Sequence, residues 1–405
     1  MRSIVAAAAA LAVAAPASAQ RHLTYVRDTA FDVTAQAVRR ALRVLVRKDG
    51  HMILAPEFFF GDMTALDSTG KQQPWRVRFG GGADAEIGGV TEWGWSGDSL
   101  WVVDRSYSQV ALLGGDGKIA RSVRFPSWIR PRWGDRRQYP LFATMTWHAM
   151  YGDGTLLAEP SQVRRLFDTP QYDRDQKLLV RVDRDGRILR TVARAPAMQG
   201  SLLLRSGAER KTFNIPNYPR SFWKTSTDGE RVVLVAPIAS DSGAFRVTMV
   251  SGQGDTVFSR RYAIDGRRVP KTDDYLANVR PFGRYSAQQV RDTIAKLIPL
   301  FDSPVTALLV GVDYSVWVML RRPKSDPQQA EWMVIDGAGE VVGTTMLRRQ
   351  LKMTGMSLDR FWVIENDRGR QTTAIVRYRR ADPRVARPAR SASGSGSSSP
   401  ARPRE

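Results

Sequence analysis

Three carboxylates hold matching places in the chain. Asp104 closes the apolar run Leu100 to Val103, Glu159 follows Leu156-Leu157-Ala158, and Glu365 follows Trp362-Val363-Ile364. Oxygen ligands drawn from separate segments suit a divalent cation or a basic ligand, provided the fold makes them converge. Arg321 and Arg322 follow a similar run, Val316 to Leu320, and would add guanidiniums to the same region. The competing reading is local: a short carboxylate often accepts the amides of its own turn, so Asp104 and its counterparts could be caps. A second group lies at 125–142, where Trp128, Arg130, Arg132, Trp133, Arg136, Arg137 and Tyr139 interleave. Aromatic faces and guanidinium planes stack on sugars, bases or peptide side chains. The same tryptophans could equally anchor a long loop to the body of the protein.

Other chemistries are excluded or thin. The chain has 405 residues and no cysteine, which removes disulfides, thiolate metal sites, a cysteine nucleophile and a lipidated cysteine. Only His22, His51 and His148 are present, too few to favour a multi-histidine metal centre. Asp183-Arg184-Asp185-Gly186 starts like a calcium loop, but the later ligands of such a loop are absent. There is no G-x-S-x-G elbow, phosphate-binding loop or dinucleotide fingerprint, and no nucleophile–base pair can be nominated. Lys and Arg number 61 against 40 Asp and Glu, for a net charge of +21, and 51 of the 61 are Arg. Such a charge can draw anionic partners. No five basic residues are consecutive, so the pattern reads as charge spread over the surface, and nucleic acid is not the expected partner.

The elements that would position these residues come from a repeat. A turn with Asp or Gly followed by a short apolar strand occurs six times: at Asp49-Gly50 before Met52-Ile53-Leu54, Asp98 before Leu100 to Val103, Asp153-Gly154 before Leu156-Leu157, Asp228-Gly229 before Val232 to Leu234, Asp313 before Val316 to Val318, and Asp359 before Phe361 to Ile364. After each of the first five comes another strand and a four-residue turn ending in Gly70, Gly117, Gly186, Gly254 or Gly339. Glycine suits the left-handed residue of a short hairpin. With the apolar stretch before each first turn, the unit has four antiparallel strands. Units of about 45 residues stacked radially are propeller blades, so the expected fold is an all-β six-bladed β-propeller spanning 20–380. The sixth unit lacks an outer strand after Thr373 to Tyr378. His22 to Arg27 is a spare strand at the other end, so pairing the two would close the ring and remove two sheet edges.

Alternate connections fall on opposite faces of a propeller. The Asp/Gly turns share one face, while insertions near 126–142, 194–222 and 262–304 share the other, and long loops carry function more often than tight turns. Within the third insertion, Ser286 and Gln289 form a capping-box pattern, with Val290, Ile294, Leu297 and Ile298 on one face before Pro299. That pattern predicts one inserted amphipathic helix packed on the propeller rim.

The ends read differently. Met1-Arg2-Ser3, the apolar run Ile4 to Ala15 and Ala17-Ser18-Ala19 match a secretory signal over 1–19, cleaved after Ala19. The apolar run is too short to span a bilayer. Residues 381–405 hold Pro, Arg, Ser and Gly, a composition that predicts a disordered tail. The expected mature product is exported to the periplasm or the medium, without a membrane anchor, and monomeric.

Gly97-Asp98-Ser99-Leu100-Trp101-Val102-Val103-Asp104, with Val110 to Leu113 and Asp116-Gly117 beyond, resembles the NHL-repeat type of six-bladed propeller. The whole is also similar to the gluconolactonase-like group of bacterial secreted propellers. Tyr107 and Gln109 stand where an NHL unit usually has Asn and Arg. The gluconolactonase-like resemblance implies a divalent metal held at the funnel by Glu, Asn and Asp, a set with no residue-by-residue match here. Two functions follow: a non-enzymatic exported propeller that binds a protein, peptide or glycan on its long-loop face and needs no cofactor, or a metal-dependent hydrolase or lactonase built on the funnel acids.

Overall fold

A computed structural model describes residues 21–33, 41–56, 61–79, 87–104, 107, 109–124, 142–162, 176–196, 201–207, 209–215, 221–238, 243–269, 273–322, 326–367 and 372–381. The chain opens with β1 (Tyr25–Val33). Blade one is β2 (Ala41–Val46), β3 (Met52–Pro56), β4 (Gly61–Leu66) and β5 (Gln72–Phe79). Blade two is β6 (Val90–Ser96), β7 (Ser99–Asp104), β8 (Gln109–Leu113) and β9 (Ile119–Arg124). Blade three is β10 (Phe142–Met150), β11 (Leu156–Gln162), β12 (Gln176–Val182) and β13 (Ile188–Pro196), followed by a hairpin, β14 (Ser201–Ser206) and β15 (Glu209–Asn214). Blade four is β16 (Phe222–Thr225), β17 (Arg231–Pro237), β18 (Ala244–Ser251) and β19 (Thr256–Ala263), followed by α1 (Asp273–Ala277) and α2 (Ala287–Ala295). Blade five is β20 (Val305–Val310), β21 (Val316–Leu320), β22 (Gln329–Ile335) and β23 (Val341–Arg348), and the last strands are β24 (Lys352–Met356), β25 (Arg360–Asp367) and β26 (Thr372–Arg380). Six four-stranded antiparallel sheets result, the sixth in the order β1-β26-β25-β24. No helix among the described residues is long and apolar enough to cross a membrane.

The apolar second strands follow from their burial on both sides. In β7, Leu100 and Val102 pack with blade one, while Trp101 and Val103 pack with blade three. In β25, Phe361 and Val363 turn to blade five, and Trp362 and Ile364 to blade one. Side chains alternate across a strand, so a strand sandwiched between two blades must be apolar at every position. Trp101, Trp317 and Trp362 hold corresponding positions and are 2%, 0% and 1% exposed. The core is therefore a ring of inter-blade layers. First strands of successive blades pack together, β6 with β10, β16 with β20 and β24 with β2, which places them nearest the axis.

The N-terminal strand closes the ring, as the missing outer strand predicts. Tyr25 pairs with Arg380, Arg27 with Tyr378 and Val33 with Ile375, with a register irregularity between Arg27 and Asp32. The strand runs past the expected Arg27 to Val33, because Phe31 and Val33 enter the apolar layer between blades six and one. Just before it, the Leu23 amide donates to Thr344 O (2.7 Å), and the Thr344 amide donates to Arg21 O (3.0 Å). Leu23 lies in the layer between blades five and six, so with Phe31 and Val33 further on the N-terminal chain touches blades five, six and one.

Candidate binding face

The two faces of the disc are built from different chemistry. On the short-turn face, four of the five turns between third and fourth strands share one device, while blade two has Gly114 at that place. Asp67 Oδ1 accepts the Thr69 and Lys71 amides (2.9 and 3.0 Å), Asp183 Oδ1 those of Asp185 and Arg187 (2.9 and 2.8 Å), and Asp336 Oδ1 those of Ala338 and Glu340 (3.0 and 2.8 Å). In blade four, Ser251 Oγ replaces the carboxylate and accepts from Gln253 and Asp255 (3.2 and 3.1 Å). The glycine after each loop is required locally: Gly70 sits at φ 90°, where a Cβ would also meet Val33 at 2.5 Å.

Polar ties then link one blade to the next on this face. Arg47 pairs with Asp98 (2.9 Å), Arg181 donates to Gly252 O (3.4 Å), Tyr262 donates to Gly339 O (2.7 Å), the Leu358 amide donates to Asp313 (2.8 Å), and Arg377 donates to Ser68 O (2.9 Å). The Trp95 amide of blade two donates to Thr227 O of blade four (2.8 Å). Backbone therefore reaches past blade three at this mouth of the channel.

Tyr314 stands out among these turns. It occupies the position held by Gly50, Gly154 and Gly229 in other blades and is the one non-glycine described residue with positive φ, 65°. Its hydroxyl donates to Asp228 Oδ2 (2.8 Å), and the Arg231 guanidinium lies 4.7 Å over its ring. Burial, then the hydrogen bond to Asp228, raises the phenol above its ordinary range. Burial and the neighbouring Asp228 likewise hold Glu230 high. Arg181 is almost enclosed. It donates to Asp153 (2.6 Å) and Thr155 (2.7 Å) and lies 4.2 Å over the Tyr151 ring.

The opposite face carries the insertions, and two of them fold together. Phe213 of β15, Val279 after α1, and Val290 and Ile294 of α2 form an apolar cluster with Leu204, Leu276, Phe282, Tyr285 and Ile298. The Arg284 amide donates to Ser206 Oγ (3.0 Å), and Lys211 Nζ lies 5.1 Å over the Phe213 ring. The predicted capping box is present: Ser286 Oγ accepts the Gln289 amide (3.2 Å), and Gln289 Oε1 accepts the Ser286 amide (2.8 Å). The helix packs on the hairpin inserted before blade four rather than on the blade rim, because Val290 and Ile294 find their apolar partners there. It ends at Ala295 with Lys296 as C-cap. Leu297, expected on the buried stripe, falls beyond it and is 39% exposed, while Leu300 is 81% exposed.

The structure does not bring the three acids together. Asp104 is wholly buried at the end of β7, and its carboxylate accepts the amides of Gly88 (2.9 Å), Gly89 (3.2 Å) and Tyr107 (3.3 Å), the cap chemistry of the competing reading. Glu159 lies 2.7 Å from Lys177 Nζ, and His148 Nε2 stands 3.6 Å away, in ion-pair rather than hydrogen-bond range. Burial pushes the Glu159 carboxyl up, but His148 and Lys177 outweigh it and hold the group low. His148 meets the Trp223 ring of blade four edge-on at 4.8 Å. Glu365 accepts from Tyr378 Oη (3.0 Å) and lies 3.7 Å from Arg27 of the closing strand. Arg321 is 3.5 Å from Asp302, and Arg322 grips Glu331 with two nitrogens at 2.5 and 2.9 Å.

Among the described residues no three His, Asp or Glu are grouped to hold a metal ion. These side chains do not fit the divalent-metal funnel of the gluconolactonase-like group. The physical reason is radial: second strands lie one step out from the axis, so their side chains meet neighbouring blades. Trp128, Arg130, Arg132 and Trp133 lie outside the described residues, as do the signal segment and the tail from 382 on. The hairpin β14–β15 went unpredicted, although Leu202-Leu203-Leu204 and Phe213 flank a Ser206-Gly207 turn signal.

No protein-family model matches the chain, and no curated protein matches it. Among solved structures it is similar to a DUF4221-family member from Bacteroides vulgatus, with TM-score 0.45 and 12% identity over 90% of this chain and 99% of that one. A Bacteroides fragilis protein described as exported matches with TM-score 0.45 and 11% identity over 91% and 98%. A periplasmic gluconolactonase from Pseudomonas aeruginosa matches with TM-score 0.31 and 15% identity over 83% and 87%. None is near enough in sequence for its activity to pass to this chain.

Proposed function

We propose that this chain is an exported, non-enzymatic propeller that binds a protein, peptide or glycan on its long-loop face, as a monomer and without a cofactor. The observation that carries the reading is the platform made by β14–β15, α1 and α2. Two inter-blade insertions share a core of their own, and just past α2 the chain leaves Leu297 39% and Leu300 81% exposed. Leu297 and Leu300 together offer apolar area that a polypeptide partner's side chains can bury. The opposite face spends its polar groups on turns and on neighbouring blades. Trp128, Arg130, Arg132 and Trp133 belong to the same reading as a second contact arm, one suited to sugars as well as peptides.

Export fits the latch. Cleavage after Ala19 leaves Arg21 and Leu23, whose backbone groups bond to Thr344, at the start of the mature chain. Capture from the envelope of producing cells tests the binding role, with a Leu297→Asp/Leu300→Asp variant beside the unaltered protein. A partner held by the unaltered protein and lost from the variant is expected. Identical capture by both overturns the assignment to this platform. Charge reversal of Arg130, Arg132 and Arg136 tests the second arm in the same way, and unchanged binding removes it.

A further inference from the structure

Five blades join their third and fourth strands by a covalent turn; the sixth cannot, because its outer strand comes from the other end of the chain. The corner left open holds a cavity of about 460 Å³ lined by Asp28, Asp359, Arg360, Arg377, Arg379, Arg380 and Ala381. One of its guanidiniums is committed. Arg377 donates through Nε to Asp28 (2.8 Å) and through a terminal nitrogen to Ser68 O (2.9 Å), and lies 4.6 Å over the Phe31 ring. The side chains of Arg360, Arg379 and Arg380 make no hydrogen bond or ion pair among the described residues.

The register makes that arrangement costly. Arg360 and Arg379 are direct partners across β25 and β26, and like charges directly opposite on neighbouring strands repel at close range. Arg380, the next residue, pairs with Tyr25 of the closing strand. Arg360 and Arg379 share one face of the sheet, whereas Arg380, one residue on, alternates to the face of its partner Tyr25, so two uncommitted guanidiniums stand together beside the Arg377–Asp28 pair. A phosphate monoester carries close to two negative charges at neutral pH and presents oxygens that guanidinium forks match. The cavity has the size of a small-molecule site, with room for a small polar body beside the phosphoryl group.

We propose that the ring seam is a binding site for a phosphomonoester, held between Arg360 and Arg379. The site is separate from the long-loop face and stands whether or not that face binds a partner. Its ligand would be either a free phosphorylated solute or the phosphate headgroup of a lipid.

The test uses the mature full chain at constant ionic strength. Glycerol 3-phosphate is titrated calorimetrically, and co-sedimentation is measured with vesicles containing phosphatidic acid or, as the diester control, phosphatidylglycerol. Binding of glycerol 3-phosphate identifies a solute site; binding confined to phosphatidic acid vesicles identifies a lipid site. In either case Arg360→Gln and Arg379→Gln each weaken binding about tenfold or more, the loss of one charge-assisted pair. Both variants should melt at or above the ligand-free parent, since each relieves the cross-strand repulsion, so misfolding does not mimic the result. No binding in either arm, or equal binding by the parent and both variants, overturns the proposal.

Discussion

The two faces of this ring solve opposite problems. On one, most Asp residues of the repeat hold their own turns, as Asp67, Asp183 and Asp336 do, and other polar contacts reach sideways between blades, as between Arg47 and Asp98, Leu358 and Asp313, and Tyr262 and Gly339. On the other, the chain leaves the blades for tens of residues and builds a small structure with a separate core from Phe213, Val290 and Ile294. The first face fixes the ring; the second is free to vary without unmaking it. The lesson is that a residue type repeated in every blade marks construction, whereas a feature found in one place marks a specific role.

Perturbations should separate the faces by size of effect. The largest belongs to the inter-blade layer shared by both: Trp362→Ala should destabilise the protein by about 3–5 kcal/mol, read by denaturant unfolding. Next comes the short-turn face. Arg181→Ala removes donors to Asp153 and Thr155 and the contact with Tyr151, for a loss of about 2 kcal/mol, with no change in partner binding.

Smaller still is a pH effect on the same face. Burial pushes the Asp49 carboxyl up, but the Arg47 guanidinium and the His51 amide hold it down at about 2. A folded-state pKa below the unfolded value gives stability that is present above the ordinary carboxyl range and lost as pH falls through the folded value. Asp49→Asn should therefore flatten the stability profile between about pH 4 and pH 2 and leave its neutral limb parallel to that of the parent. Ser286→Ala should cost α2 about 1 kcal/mol, seen as faster amide exchange in 287–295 with blade strands unchanged. The smallest stability effect is expected at Leu300→Asp, within about 0.5 kcal/mol for so exposed a residue, although partner binding should fall. A Leu300→Asp variant that unfolds, or an Arg181→Ala variant that loses its partner, would break the contrast between the faces.

The ring was legible in the sequence because its signals are local and repeated. Asp-Gly turns, continuous apolar second strands and a missing sixth outer strand each have one physical reading, and together they specify blade number and closure. The acids at second-strand ends were also legible, but only as residues. Whether Glu159 faces the axis or the next blade depends on radial order, which periodicity does not carry, and the structure sets it beside Lys177 and His148 instead. The platform and the seam were harder. α2 could be read from its capping box and stripe, yet its partner is a hairpin some eighty residues earlier in the chain. The corner at Arg360 and Arg379 exists only once β1 and β26 have met and left the turn out.

Site-specific photo-crosslinking in producing cells tests the division of labour most directly, with a photoreactive residue at Leu300 on the platform or at exposed Lys118 on the short-turn face. A discrete adduct from Leu300 that Leu297→Asp removes, with none from Lys118, is the expected result. An adduct from Lys118 with none from Leu300, or the same adduct from both, would contradict it.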